Sequence, residues 1–214
     1  MIGPESSPRP RGRPRAAAAI AHERVLDAVQ SLLGERPFRE LTMDSVAQRA
    51  SVGKPTLYRW WPTKNALVMT LISERVPWGG EISDDASAQA KLKGRVERTI
   101  ELYSGVFGKI MAGLIGEAQA DPELGRVLYE TQIRPRRTAT IAEIERGKAE
   151  GEFRGSLDAE LLVDAIFGAI YYRLLLSSAP LTPDYGAELV EQVLRGALPG
   201  DDQLCSASAI GDAV

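Results

Sequence analysis

Lys54, Thr56, Tyr58 and Arg59 crowd into the stretch LTMDSVAQRASVGKPTLYRWWPTK, which runs from Leu41 to Lys64. Cations and hydroxyls on a short rigid rod suit phosphate oxygens and base edges, and a helix is a rod that fits the DNA major groove. Thr42 and Lys64 stand at expected helix starts, where unpaired backbone N–H groups favour an anion. Other chemistries find little to work with. The sequence carries no Gly-rich phosphate loop and no cluster with metal-ligand spacing. His22 is the only histidine, so a Ser-His-acid or Cys-His site would have to recruit it from the N-terminal part. Near the start of the first helix it reads as a surface residue. The expectation is a protein that is not an enzyme and needs no cofactor or metal. An enzyme using carboxylate or tyrosine chemistry, or a small-molecule carrier, is the alternative.

The elements that must position these residues are two short helices around a turn. Thr42 can cap the first, accepting a backbone N–H that the first turn leaves unpaired. Met43, Val46, Ala47 and Ala50 recur at helical spacing. Ser51-Val52-Gly53 makes the turn, with Gly53 expected to supply its conformational freedom. Lys54-Pro55-Thr56 opens the second helix, since Pro is tolerated where a first-turn N–H has no partner. Leu57 faces back towards the first helix, and Lys54, Thr56, Tyr58 and Arg59 face out. Val25, Val29, Leu32 and Leu33 mark the buried face of a preceding helix from Ala16 to Leu33, which Gly34 is expected to end in a left-handed stop. Phe38 and Leu41 plug the gap before the motif.

The run resembles the DNA-binding motif of the TetR family of transcriptional regulators, whose mark is T-x-x-x-V-A-x-x-A-x-V-x-K-x-T-L-Y-x-x-F/W-x-x-K. The resemblance extends from Val25 to Val68. Two positions depart from it: Ser51 stands where the family often has a turn Gly, and Gly53 where it often has a capping Ser. The resemblance implies an all-α protein with an N-terminal three-helix DNA-binding domain containing the helix-turn-helix. A larger C-terminal helical domain would bind an effector and dimerise through a four-helix bundle. It further implies DNA contacts from Thr42, Lys54, Pro55, Thr56, Tyr58, Arg59 and Lys64. The function implied is that of a homodimeric, ligand-released repressor on a palindromic operator of double-stranded DNA.

Charge agrees with that division. The chain of 214 residues has a net charge of −3, but residues 1–76 carry +5 and residues 77–214 carry −8. Only the N-terminal part suits a polyanion. Arg9, Arg11, Arg13 and Arg15 lie in a Pro-, Ser- and Gly-rich segment, residues 1–15, expected to be disordered when free. It reads either as a solvated basic tail or as an arm along the DNA. No apolar run is long enough for a membrane span, and the basic N-terminus lacks the apolar core of a secretory signal. Cys205 is the single cysteine, which fits a reducing cytoplasm.

Helix four, after Pro62-Thr63-Lys64, runs to about Val76, so 16–76 form the first domain. Residues 77–200 read as helices after a polar loop, and 201–214 as a loose tail. Asp121, Asp158 and Thr182 are expected caps, and Pro135 should restart or kink a helix. LLVDAIFGAIYYRLLL is apolar nearly all round and must be buried on more than one side. Leu162, Ala165, Ala169 and Leu176 share one side of it, and with Val190 and Leu194 of the last helix they are the expected dimer face. The other side offers Phe167, Ile170 and Tyr171 towards Tyr103, Phe107, Met111 and Leu114. That lining suits an apolar or aromatic small molecule, with simple core packing as the plainer alternative. Arg134, Arg136 and Arg137 read as a ligand or DNA site or, more plainly, as a solvated helix face.

Overall fold

The structure, a computed structural model, describes residues 13–76 and 86–196. It is all-helical, with no strand among the described residues. The chain divides between Val76 and Pro77 into two compact units.

The first unit comprises α1 (Arg13–Glu35), a 3-10 turn (Phe38–Glu40), α2 (Met43–Ala50), α3 (Lys54–Trp60) and α4 (Lys64–Arg75). Its core is built from Val25, Leu26, Val29, Leu32 and Leu33 of α1, Val46 and Ala47 of α2, Leu57 of α3, and Leu67, Val68, Leu71 and Ile72 of α4. Phe38 and Leu41 are buried between α1 and α2 in the chain, closing the gap the longer connection leaves. Two expectations about α1 need correction. The helix starts at Arg13, so Arg13 and Arg15 belong to its first turns by backbone conformation. Nor does Gly34 end it: the helix passes through Gly34 to Glu35, and the chain turns at Arg36 and Pro37, whose ring cannot continue the hydrogen-bond ladder. Arg9 and Arg11 lie outside the described residues, as do the expected polar loop after Val76 and the tail 201–214.

Polar ties close this unit around its core. Arg75 at the end of α4 donates to Glu23 at 2.6 Å and to Asp27 at 2.8 Å, both on α1. Beside this pair His22 Nε2 lies 2.9 Å from Glu74, with the Trp61 ring 5.0 Å from the imidazole. Arg49 of α2 forms a two-pronged contact with Glu35, 2.8 Å to each carboxylate oxygen.

The second unit comprises α5 (Ala88–Ser104), α6 (Val106–Ala118), α7 (Pro122–Leu128), a π turn (Tyr129–Ile133), α8 (Arg134–Ala149), α9 (Ala159–Leu176) and α10 (Pro183–Arg195). The helix α5 is its axis, packing against α6, α8, α9 and α10. Asp121, Asp158 and Thr182 each accept backbone N–H groups at the starts of α7, α9 and α10. Pro135 does restart a helix, and the wide π turn just before it absorbs the ring and the missing donor. Gly108 sits where a Cβ would meet the Tyr103 carbonyl oxygen at 2.0 Å. Only glycine lets α6 fold back this tightly over the end of α5.

No helix among the described residues is long and apolar enough to cross a membrane.

Candidate nucleic-acid interface

Thr42 caps α2 in a reciprocal arrangement. Its Oγ1 accepts from Ser45 N at 3.1 Å, and Ser45 Oγ accepts from Thr42 N at 3.3 Å. Two first-turn donors are thereby satisfied, which fixes where α2 begins. At its far end the turn works differently from expectation. Ser51, not Gly53, holds the left-handed conformation, with φ 52°, whereas Gly53 is extended at φ −63° and precedes α3 as its N-cap without a side-chain bond. The reason is position: Ser51 follows the last helical residue of α2, where a left-handed residue lets the chain reverse. Arg24 of α1 then donates to the carbonyls of Ala50 and Ser51, 3.1 Å to the latter. Sequence spacing held no sign of that contact.

The two helices meet so that α3 buries only Leu57. Lys54, Pro55, Tyr58 and Arg59 are exposed, Tyr58 by 48%, and Thr56 is half-buried. A row of two cations, a phenol and a hydroxyl thus crosses one open side of a seven-residue helix. Lys54 Nζ lies 2.7 Å from Asp44 Oδ2 of α2. The carboxylate holds the ammonium pKa above the ordinary lysine value and aims it across the α2–α3 turn. Phosphate would compete with Asp44 for this cation, since both are exposed anion partners. Lys64 is held closer to the body: its Nζ lies 4.6 Å from the Phe38 ring centre and donates to the Phe38 carbonyl at 3.4 Å. Trp61 is buried and donates to Thr70 Oγ1 at 2.9 Å, which anchors the link from α3 to α4. An open groove of about 310 Å³ lies between α1 and α2, lined by Arg24, Asp27, Ser31 and Arg49 among others. Its walls are charged and mostly paired, which does not suit an apolar guest.

In the second unit the expected effector lining comes together on α5, α6 and α9. Tyr103, Met111, Leu114 and Ile170 are buried, and Phe107, Phe167 and Tyr171 half-buried. The two phenols do not wait for a partner: their hydroxyl oxygens are 3.1 Å apart. Arg136, expected on a solvated face, is partly buried beside them; burial holds its pKa below the ordinary arginine value, and the two phenols oppose that shift. Arg137 also leaves the solvated row, pairing with Asp164 and Glu160 of α9. Among the described residues no group of His, Cys, Asp or Glu could hold a metal ion.

Part of the expected dimer face is turned inward within the protomer. Leu162, Val190 and Leu194 are 5%, 2% and 3% exposed within one protomer, so they serve its own core. The cause is α5, which needs cover: α10 lays Gly186, Val190 and Leu194 on it, with Gly186 so near Ile100 that a Cβ would stand 2.9 Å from Cγ1. Ala169 is half-buried, while Ala165 and Leu176 are exposed. Those two belong to a stripe one position round the helix. Leu161, Ala165, Gly168, Tyr172, Leu175 and Leu176 recur at helical spacing, and Leu161, Tyr172 and Leu176 are at least 60% exposed.

Comparison with known proteins agrees with this architecture. Residues 25–70 match the family described as bacterial regulatory proteins, tetR family, and residues 82–193 match the tetracyclin repressor-like C-terminal domain. The uncharacterized HTH-type transcriptional regulator YdeS of Bacillus subtilis (strain 168) is 32% identical over 190 residues, spanning 87% of this chain and 93% of its own. The crystal structure of the TetR family transcription regulator SCO0332 superposes with a TM-score of 0.62 at 29% identity, covering 84% of this chain and 99% of that one. The Bacillus subtilis regulator FadR, crystallised with stearoyl-CoA, shares the fold with a TM-score of 0.70 at 19% identity, covering 82% and 98%. Helix-turn-helix geometry, an all-helical second unit and two family matches along one chain lead to one conclusion: this chain belongs to the TetR family of DNA-binding transcriptional regulators.

Proposed function

We propose that this chain works in the cytoplasm as a homodimeric repressor that holds a palindromic operator and leaves it when a small apolar or aromatic effector binds. The observation that carries the reading is the open side of α3. Lys54, Pro55, Thr56, Tyr58 and Arg59 have no core to serve, whereas Leu57 alone anchors the helix. In this reading α3 enters the major groove, and Thr42 and Lys64 place phosphates at the starts of α2 and α4. The basic N-terminus, with Arg9, Arg11, Arg13 and Arg15, adds contacts along the backbone or minor groove. Deleting residues 1–12 should then flatten the salt dependence of binding.

One helix-turn-helix makes few contacts, so two copies on a two-fold axis are needed to read two half-sites. The exposed stripe of Leu161, Ala165, Gly168, Tyr172 and Leu175 supports a second copy of α9 as its cover, with the small residues allowing close approach. The effector is proposed to part the lining of Tyr103, Phe107, Met111, Leu114, Phe167, Ile170 and Tyr171. The fold of the chain is shared with FadR, crystallised in complex with stearoyl-CoA, which supports a second unit able to take an organic ligand. Release requires the effector to favour the non-DNA state by about 1–3 kcal/mol, a typical coupling. No catalytic turnover is part of this reading.

The test is a gel shift of the purified protein with its own upstream region. Retardation that vanishes on random DNA of equal length is expected. Equal retardation of both would refute sequence-specific reading. A screen of apolar compounds for release, repeated with Phe107→Ala, tests the pocket: a releasing compound that acts equally on both proteins places it elsewhere.

A further inference from the structure

One polar cluster interrupts the apolar lining of the second unit. Tyr103 of α5 and Tyr171 of α9 set their hydroxyl oxygens 3.1 Å apart, with ring centres 5.8 Å apart and planes tilted by 54°. Arg136 of α8 comes to the same place, where its positive charge acts on both phenols. It also donates to Oε1 of the buried Gln132 at 3.4 Å. Gln132 comes from the π turn, a rare conformation that recurs at functional sites. Three helices and a π turn thus deliver polar groups to one place.

The direction of these hydrogen bonds follows from what each group can do. A guanidinium only donates. Either phenol can donate to the other; with the guanidinium charge beside the Tyr103 oxygen, the favoured arrangement places the Tyr103 proton on the Tyr171 oxygen. The chain runs from Arg136 through Tyr103 to Tyr171 and ends on an O–H donor. That last donor belongs to the half-buried phenol rather than the buried one, and its only hydrogen-bond partner among the described residues is Tyr103. A cation at the head of such a chain polarises each link after it. Burial pushes the Tyr103 phenol pKa well above its ordinary value, so this link keeps its proton.

We propose that this chain of donors recognises the anionic head of the effector. A carboxylate accepts from the Tyr171 hydroxyl, Arg136 supplies positive charge behind it, and Phe107 and Phe167 hold the apolar body. The effector class is therefore an amphiphilic organic acid. A neutral apolar molecule leaves the terminal donor unused, and an amine opposes the charge. The inference rests on the reading of this lining as the effector site, and it narrows that reading to one class.

The experiment uses full-length protein without DNA and three probes of one chain length: decanoate, decan-1-ol and decylammonium, each titrated calorimetrically at neutral pH. Decanoate should bind roughly ten- to a hundredfold tighter than decan-1-ol, the range for hydrogen bonds to a charged group. Decylammonium should bind weakest. Tyr171→Phe keeps the ring and removes the last donor, and Arg136→Met removes the charge. Each should bring decanoate down towards the level of decan-1-ol, whose uncharged oxygen loses far less. Arg136→Lys, which keeps a donor and a charge, should recover part of the preference. Should Arg136→Met fail to fold, the Tyr171→Phe and Arg136→Lys titrations decide the matter. Equal binding of acid and alcohol to the wild type, a preference that survives Tyr171→Phe, or no binding of any probe would overturn the proposal. None of these results touches operator binding. Conversely, an acid preference that depends on Tyr171 in a protein that fails to retard its upstream DNA would sink the regulatory reading and leave this site standing.

Discussion

Replacing Ser51 with glycine should stabilise the first unit. Ser51 is held at φ 52°, ψ 46°. A residue with a Cβ carries a penalty of about 1–2 kcal/mol in that conformation, because the Cβ crowds the following carbonyl oxygen. Glycine escapes the penalty but gives back part of the gain through its freer unfolded chain, about 0.5–1 kcal/mol. The Ser51 hydroxyl makes no hydrogen bond among the described residues, so its removal loses nothing further. The net expectation is a gain of about 0.5–1 kcal/mol. For a domain of this size that raises the thermal midpoint by roughly 2–8 °C. Two of the three tryptophans, Trp60 and Trp61, lie in the first unit, so intrinsic fluorescence follows its unfolding. Ser177, at φ 50° after α9, is the matching control in the second unit. Ser177→Gly should move the circular-dichroism transition more than the fluorescence one. A fluorescence midpoint that Ser51→Gly leaves unchanged or lowers would refute the claim that the left-handed turn stores strain here.

Other outcomes follow from the same geometry. Tyr58→Ala should weaken operator binding by about 1–3 kcal/mol in a gel shift, and Lys54→Ala should also reduce the salt slope by about one; unchanged affinity in both would remove α3 from the groove. Tyr172→Glu places a charge on the exposed stripe of α9, and size-exclusion chromatography should then give monomers that stay helical; a dimer of wild-type stability would clear that stripe of the interface. Glu35 is held at about 2 rather than 4.5 by its hydrogen bond from Arg49, with Ser31 adding to it. Its folded pKa is depressed, so its contribution is present above pH 4.5 and is lost as the pH falls towards 2. Glu35→Gln should therefore flatten the acid side of the stability curve only within that window, as urea titrations at several pH values would show.

Much of this molecule is legible in its sequence because the relevant chemistry is local. Thr42, Asp121, Asp158 and Thr182 cap helices within three residues of themselves, and a hydroxyl or carboxylate beside a helical run is sufficient notice. The same holds for the outward row on α3, since a short helix with one apolar anchor has only one way to lie. Where sequence misleads, distant atoms decide. The exchange of roles between Ser51 and Gly53 depends on where α2 stops, which is set by its packing on α1. In α9, apolar almost all round, periodicity cannot rank one side above another. Contact with α5 and α8 chooses Leu162 for the core and leaves Leu161 outside. Arg136 looks like one arginine of a solvated trio until two tyrosines from other helices close on it. The π turn at Tyr129–Ile133 has no sequence signature beyond the proline that follows it.

The polar ties between α1 and α4 have a mechanical consequence. Arg75 and Glu74 close the last turn of α4, and both are fastened to α1 through Glu23, Asp27 and His22. The end of α4 is therefore no free hinge. A torque applied at Val76 cannot be spent in unwinding that turn without first breaking three contacts to a helix that also carries Arg24 and Glu35, the two residues gripping α2. The twist passes instead through α1 to α2, and so to the turn that aims α3.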